Sequence, residues 1–465
     1  MTERSESRVF LALTLTSTAL LKLFLAWRYR GFLSGDDLEI VLTAARSAVG
    51  RSYEPWTIRS LVHPLLLALP VQKAGVLLGL ASPRWLAFLA CVPTVAFSTC
   101  AIAVLYQIAR AANLSERASR AATFLFAVHW LPLTYGSTQY PRPISTCLLL
   151  LACLLILRTH ERAGSAFLAG LLVAAAFAVR WSEGAFLLPL LVFSAVKTRR
   201  ARQMVALLAG FGVGVVLLVG VFDAVTWGSP FASLRAFLAF HSDPSNGSRL
   251  RAWYWYGSMI LHWVGPVLLL LAILGWNEPK SRLWTAIAVA FAAILSLPRL
   301  KELRYLQACI PFLCISGALG WERLRGMGRT GRWASIAVLV CMVPIGLERT
   351  LHVLRQKSAS AILAAEYLAS VTPPIRSVAL EQQWAFGDSL YLGNGVAITD
   401  VRPSRPLNLD ALTAGMARAE AVAVYLEDLN DATRRELGRG GFSSGPTFSS
   451  ESSPTVAVFV RGHEP

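Results

Sequence analysis

Charge is what this 465-residue chain has least of. Asp, Glu, Lys and Arg together make up 15% of it, against 55% apolar residues. A soluble domain carries about 25% charged side chains, so the roughly three water-soluble domains that the length would otherwise suggest are excluded. Disorder and long coiled coils fall on the same numbers. Acidic residues are scarcer than basic ones, 27 against 44, and lysine is rare among the latter, with six Lys beside 38 Arg. The seven cysteines form no C-x-x-C pair and all lie in or beside apolar runs, so neither a disulfide framework nor a zinc site is indicated. The seven histidines form no H-x-x-x-H, and no G-x-G-x-x-G, P-loop or internal repeat occurs. What the chain does have is long apolar runs. It reads as an all-α polytopic membrane protein, and its net charge of +17 is better explained by basic cytoplasmic loops than by a nucleic-acid partner.

A membrane span needs about 20 mostly apolar residues, fewer inside a bundle. Eleven runs qualify, near 9–27, 83–108, 121–137, 144–157, 164–179, 184–196, 204–222, 260–275, 283–297, 305–320 and 333–348. The first lacks an A-x-A-like cleavage site and reads as a retained signal anchor. With the N-terminus inside, the inner loops hold 17 Lys/Arg in 52 residues and the outer ones 14 in 109. That asymmetry supports the orientation. Residues 61–80 are apolar enough to span, but carry Pro64, Pro70, Gln72 and Lys73, and counting them would invert every later loop. They are expected to lie on or dip into the outer leaflet. After residue 349 the texture changes to amphipathic segments alternating with short β-rich runs such as SVALEQ, VAITDV, VAVYLED and TVAVFVRG. This predicts a transmembrane domain over 1–349, with a large outer loop at 28–82, and a small extracytoplasmic α/β domain over 350–465.

A charge inside the bilayer costs ~2.5–3.5 kcal/mol even on insertion scales, so polar clusters at span ends need a reason. Most fall on the expected outer side. Asp36 and Asp37 follow the first span directly. Adjacent carboxylates can supply a general base with a neighbour that tunes it; they can equally cap the helix that starts near Leu38. Glu54 and Arg59 can be read as a loop ion pair. Arg142, Arg180, Lys301 and Arg304 each sit at an outer span boundary, where each alone could snorkel to headgroups. Their recurrence favours convergence on one anion, which suits the forked guanidinium. Asp223 with Trp227, His241, and the aromatic run Trp253–Tyr256 complete the outer set. Lys22, near the outer end of the first span, is expected to snorkel.

In order and spacing these residues resemble glycosyltransferase family 22, which includes the dolichyl-phosphate-mannose-dependent α-mannosyltransferases of GPI-anchor and N-glycan assembly. The family's H-P-D-E-type motif after its first span is matched by Ser34-Gly35-Asp36-Asp37, its W-E segment by Tyr53-Glu54, and its R-S-x-x-x-P segment by Arg59-Ser60-Leu61-Val62-His63-Pro64. Its D-x-x-x-(Y/W)-G segment is matched by Asp223, Trp227 and Gly228, and its H-K-E-x-R-F signature by Leu300-Lys301-Glu302-Leu303-Arg304-Tyr305. Asp37 stands where the family has Glu, Leu300 where it has His, and the leading His-Pro is missing. The resemblance runs over residues 1–320.

It implies a GT-C-type enzyme that moves a sugar, mannose by the family's habit, from a polyprenyl- or dolichyl-phosphate donor to a glycan or glycolipid acceptor by a single inverting displacement. Asp36 and Asp37 would be catalytic, while Glu54, Arg59, His63, Arg142, Asp223, Lys301, Glu302 and Arg304 would bind substrate. The donor's monophosphate would be held by Lys301 and Arg304, with Arg59. No cofactor and no obligate metal are then expected, the lipid-linked sugar being a co-substrate. The richness in Arg and Ala points to a bacterial member in the plasma membrane, its site on the non-cytoplasmic face; a eukaryotic member would sit in the endoplasmic reticulum. Two other readings stand beside this one: a family 39-like protein or aminoarabinose transferase of the same superfamily, and a polytopic lipid flippase or transporter.

Overall fold

The computed structural model describes residues 3–30, 35–52, 55–158, 162–198, 200–242, 250–356, 360–393, 395–401, 409–449 and 454–462. The chain forms two compact units: Met1–Ala26 with Pro55–Leu67 and Cys91–Thr350, and Trp27–Glu54 with Ala68–Ala90 and Leu351–Pro465.

The first unit is helical. All eleven apolar runs are helices, and five are long and apolar enough to cross a membrane by length and composition: Ser5–Tyr29, Pro83–Ala111, Ala201–Trp227, Leu303–Gly326 and Gly328–Gln356. The others are shorter or interrupted for identifiable reasons. Gly265, at φ +81°, and Pro266 separate Ile260–Trp263 from Pro266–Gly275. The helix Glu116–Val128 stops at His129, whose ring caps Trp130–Tyr135 by accepting from the Leu131 N–H. Lipid offers no hydrophobic drive for helices to associate, so they approach through small residues. A Cβ on Gly210 would lie 2.0 Å from the Phe167 carbonyl oxygen, and one on Gly170 would lie 2.1 Å from that of Leu207. This locks Ala201–Val215 against Ala163–Val179. Deeper in, Phe186 and Phe312 stack at 5.7 Å, Phe312 and Trp284 at 6.1 Å, and Phe193 closes on Trp284 at 5.5 Å. Lys22 does not snorkel. It is buried, and its ammonium donates to Ser98 Oγ at 2.6 Å.

The second unit is built on a five-stranded sheet: β1 Ser377–Leu380, β2 Ala397–Asp400, β3 Ala421–Tyr425, β4 Phe442–Phe448 and β5 Val456–Arg461, in the order β2-β1-β3-β5-β4. β1 pairs in parallel with β2 and β3, whereas β5 runs antiparallel to β3 and β4. β3 is buried along its whole length, as a central strand covered on both faces must be. Val378, Leu380, Ala421, Ala423, Val456, Val458 and Val460 face one apolar cluster; Ala379, Val422, Val424, Ala457 and Phe459 face the other, with Leu412, Met416 and Leu437. The first cluster is completed by the helix Ser360–Ser370 and, from the far end of the chain, by Leu38, Val41, Leu42 and Ala45 of the helix Gly35–Ala48. The i, i+3, i+4, i+7 spacing of those four makes one apolar stripe. The compact unit that holds the sheet also takes in residues 27–54 and 68–90. β4, with Gly445 and Pro446 inside it, is a strand that composition does not announce; its pairing with β5 shifts register between Ser444 and Thr447.

Candidate functional site

Within the helical unit, turns remote in sequence bring their polar residues together. Arg142 opens the helix Arg142–Arg158, with its side chain 1% exposed. Its Nη1 donates to Glu183 Oε1 at 2.6 Å and its Nη2 to Ser182 Oγ at 3.3 Å. Burial pushes the Glu183 carboxyl up, and the charges of Arg142 and Arg180 pull it back. The Arg142 guanidinium lies 4.0 Å from the centroid of the Tyr305 ring, and that of Arg304 lies 4.2 Å from the Tyr140 ring. Each turn thus lends its arginine to the other's tyrosine. Arg180 stands 5.4 Å and 5.9 Å from the same two rings. Desolvated contacts of this kind are worth ~2 kcal/mol. Arg304 is also ion-paired with Glu302, whose carbonyl oxygen accepts from the Tyr256 hydroxyl at 3.2 Å. Three arginines therefore meet two carboxylates, and the cluster retains positive charge.

Lys301 sits at the edge of this group. Its ammonium donates to the carbonyl oxygens of Pro298 and, at 3.2 Å, Arg251, and burial lowers its pKa. It also lines a cavity of about 410 Å³ with Arg251, Arg299, Trp253, Leu250 and Leu297. The bridge between Leu250 and Leu300 and the bond from the Arg251 N–H to the Arg299 carbonyl hold these two segments together. Three cations, an indole and apolar walls suit an anion carried on an apolar chain.

The remaining expected residues are distributed differently. The Arg59 guanidinium lies over Trp56 at 5.5 Å, and Trp181 Nε1 donates to the Ile58 carbonyl at 3.4 Å. Both Arg59 and Arg180 act on His241, whose pKa is lowered by burial first and by their charges as well. Asp223 is buried, its Oδ2 accepting from the Ser233 N–H at 2.9 Å and the Ser233 hydroxyl at 2.6 Å; it fastens the start of the helix Ala232–Ser242. His63 is buried, and neither ring nitrogen has a hydrogen-bond partner among the described residues. Asp36 and Asp37 lie in the first turn of the helix Gly35–Ala48, but their side chains are outside the described residues, as is Glu54 altogether. Among the described residues no three His, Cys, Asp or Glu side chains gather as metal ligands.

The model of the Alg9-like mannosyltransferase family matches residues 42–380. The chain belongs to that family. The match starts beyond the acidic pair at 36–37 and includes every turn of the arginine–tyrosine cluster. No curated protein sequence matches the chain. Among solved structures, ArnT from Cupriavidus metallidurans, in the apo state and bound to undecaprenyl phosphate, is similar at a TM-score of 0.64 and 14% identity over 96% of this chain and 97% of that one. The arabinofuranosyltransferase AftD from Mycobacteria is similar at 0.57 and 16%, over 98% of this chain and 40% of that one. The archaeal oligosaccharyltransferase AglB from Archaeoglobus fulgidus, in complex with an inhibitory peptide and a dolichol-phosphate, is similar at 0.53 and 11%, over 90% and 70%. The fold is that of the GT-C glycosyltransferases, and this member of the Alg9-like family is a multi-pass membrane glycosyltransferase. The resemblance seen in the motifs is thus a family membership.

In the sequence Tyr140, Glu183 and Tyr305 stand among the outer polar clusters without an assigned role, and Arg251 and Arg299 do not stand out at all. A signal for the two tyrosines existed: Tyr140 precedes Arg142 by two residues and Tyr305 follows Arg304 directly. Arg251 and Arg299 join Lys301 only through the pairing of two loops.

Proposed function

We propose that the protein transfers a sugar, mannose by its family, from a polyprenyl-phosphate donor to a glycan or glycolipid acceptor on the non-cytoplasmic face of its membrane. The observation that carries this reading is the cationic ground between the outer turns: Lys301, Arg251 and Arg299 around an open cavity, with Arg142, Arg180 and Arg304 beside it. Such charge suits the phosphate that leaves as the anomeric carbon is attacked. ArnT bound to undecaprenyl phosphate and AglB with dolichol-phosphate are structural relatives that take such a lipid. The family match favours this reading over an aminoarabinose transferase, and enzyme over transporter.

Asp36 is the base in this scheme, taking the proton of the acceptor hydroxyl as that oxygen attacks the anomeric carbon, with Asp37 orienting it or holding the acceptor. A lipid monophosphate can be neutralised by arginine and lysine, so transfer proceeds without an obligate metal. The test uses purified protein in sealed vesicles of known orientation, polyprenyl-phosphate mannose, and a glycan or glycolipid acceptor added to one side at a time. Sugar transfer should occur from the non-cytoplasmic side only and persist in a chelator. Asp36→Asn should lower turnover by ~10²–10⁴, the usual contribution of a general base, with donor binding kept. Full activity in both Asp36→Asn and Asp37→Asn would place the base elsewhere; transfer abolished by the chelator would overturn the metal-independent scheme.

A further inference from the structure

The helix that begins beside Arg304 ends at Gly326. At 1.5 Å per residue its far end lies roughly 30 Å from the arginine–tyrosine cluster, the thickness of a bilayer's hydrocarbon core. There the helical unit carries a groove of about 670 Å³, walled by Phe124, Trp321 and Val340 and rimmed by Arg117, Arg120 and Arg325. The glycosyl-transfer reading makes no use of it.

The chemistry of this groove is divided along its length. Trp321 is fixed from within, its Nε1 donating to the Ser335 carbonyl at 2.8 Å, and Val340 is 63% exposed on the facing helix Gly328–Gln356. This part offers water nothing. At the rim, Arg120 is engaged by Glu116 at 3.2 Å and Glu6 at 3.8 Å and donates to Ser7 at 2.6 Å. Glu116 is itself enclosed: burial would raise its pKa, but hydrogen bonds from Ser7, Tyr106 and Arg120 and the charge of Arg110 hold it below the usual range. Its charge is therefore compensated locally. Glu322, the other neighbouring carboxylate, accepts from Ser115. Arg117 projects from the first turn of the helix Glu116–Val128 and Arg325 lies 5.5 Å from the Trp321 ring, and both remain available to the groove. Two forked cations above an apolar trough match a phosphodiester joined to a hydrocarbon chain.

We infer that this groove is a binding site for an anionic phospholipid of the leaflet at the Arg325 end of the bundle, with the phosphate between Arg117 and Arg325 and an acyl chain along Phe124, Trp321 and Val340. A free anion would need no trough, and a zwitterionic lipid would present an ammonium to the arginines.

The full-length protein is reconstituted in zwitterionic vesicles with a rising fraction of phospholipid brominated in its acyl chains, either anionic or zwitterionic. Tryptophan fluorescence is read in wild type and in Trp321→Phe, the difference isolating Trp321. The anionic lipid should quench Trp321 at a several-fold lower mole fraction than the zwitterionic one, and Arg117→Gln/Arg325→Gln should erase that preference. Equal quenching by the two lipids in wild type, or a preference unchanged in the double variant, overturns the inference. Loss of the preference on adding millimolar inorganic phosphate would also overturn it, because the site would then be one for a free anion. Native mass spectrometry of retained lipid, comparing wild type with the double arginine variant, gives the same decision without a tryptophan substitution. Neither readout depends on glycosyl transfer.

Discussion

Arg142 and Glu183 stand 41 residues apart in sequence and meet with side chains 1% and 2% exposed. A buried pair of this kind is costly to break from one side. Arg142→Met should lower stability by ~3–5 kcal/mol because it strands the Glu183 carboxylate, whereas Arg142→Met/Glu183→Leu should regain most of the loss. Thermal unfolding of the detergent-solubilised protein reads both, and equal destabilisation by single and double variants would show that the pair contributes nothing as a pair. Arg304 and Lys301 test a different property. Arg304→Ala should reduce transfer more at limiting lipid donor than at saturating donor, and Arg304→Lys should recover only part, because an ammonium cannot reproduce the planar contact over Tyr140. Donor dependence unchanged in Arg304→Ala removes its charge from phosphate binding. These residues were legible in the sequence as polar exceptions at apolar boundaries. Their partners were not, since a guanidinium over a ring from another turn leaves no periodic trace. Lys22 shows the opposite limit: near a span end the snorkelling rule directs it to water, yet Ser98 and the close approach of Gly136 keep it inside.

Among the elements, the helices were the most readable, because an apolar run in a charge-poor chain has few other options. What composition could not give was where they touch. Gly170 and Gly210 are unremarkable letters within apolar runs until the two backbones close to within a Cβ of each other. Gly210→Leu should therefore drive Ala201–Val215 off Ala163–Val179, and size-exclusion chromatography in detergent should show aggregation in place of a monodisperse peak. Gly212→Leu, at a position with nothing within 4 Å, is the control and should behave as wild type. In the sheet, β1, β2, β3 and β5 announced themselves through runs of Val and Ala. β4 did not, because Gly and Pro disfavour strands and only its pairing with β5 compensates.

At the scale of the molecule, the sequence marks a change of texture at residue 350, but not that the domain following it is incomplete. Leu38, Val41, Leu42 and Ala45 occupy the same apolar cluster as the β1, β3 and β5 side chains, and no local pattern in either segment records its counterpart. Residues 351–465 expressed alone should consequently bind a hydrophobic dye and exchange their β1 and β3 amides rapidly; adding a peptide spanning 35–48 should raise protection, and an already well-protected fragment would contradict this account. The same arrangement sets a timetable for biogenesis. The helix Gly35–Ala48 leaves the ribosome about 300 residues ahead of the strands it packs on, and at ~5–20 residues per second that is a wait of roughly 15–60 s. Throughout that interval the apolar stripe of this helix has only Ala68, Leu86, Ala87 and Ala90 of its final cluster beside it, and the sheet side chains that complete the cover are missing. The bilayer interface is the apolar surface at hand for the part left bare, so the nascent chain can rest this helix on lipid and release it when the last strand arrives.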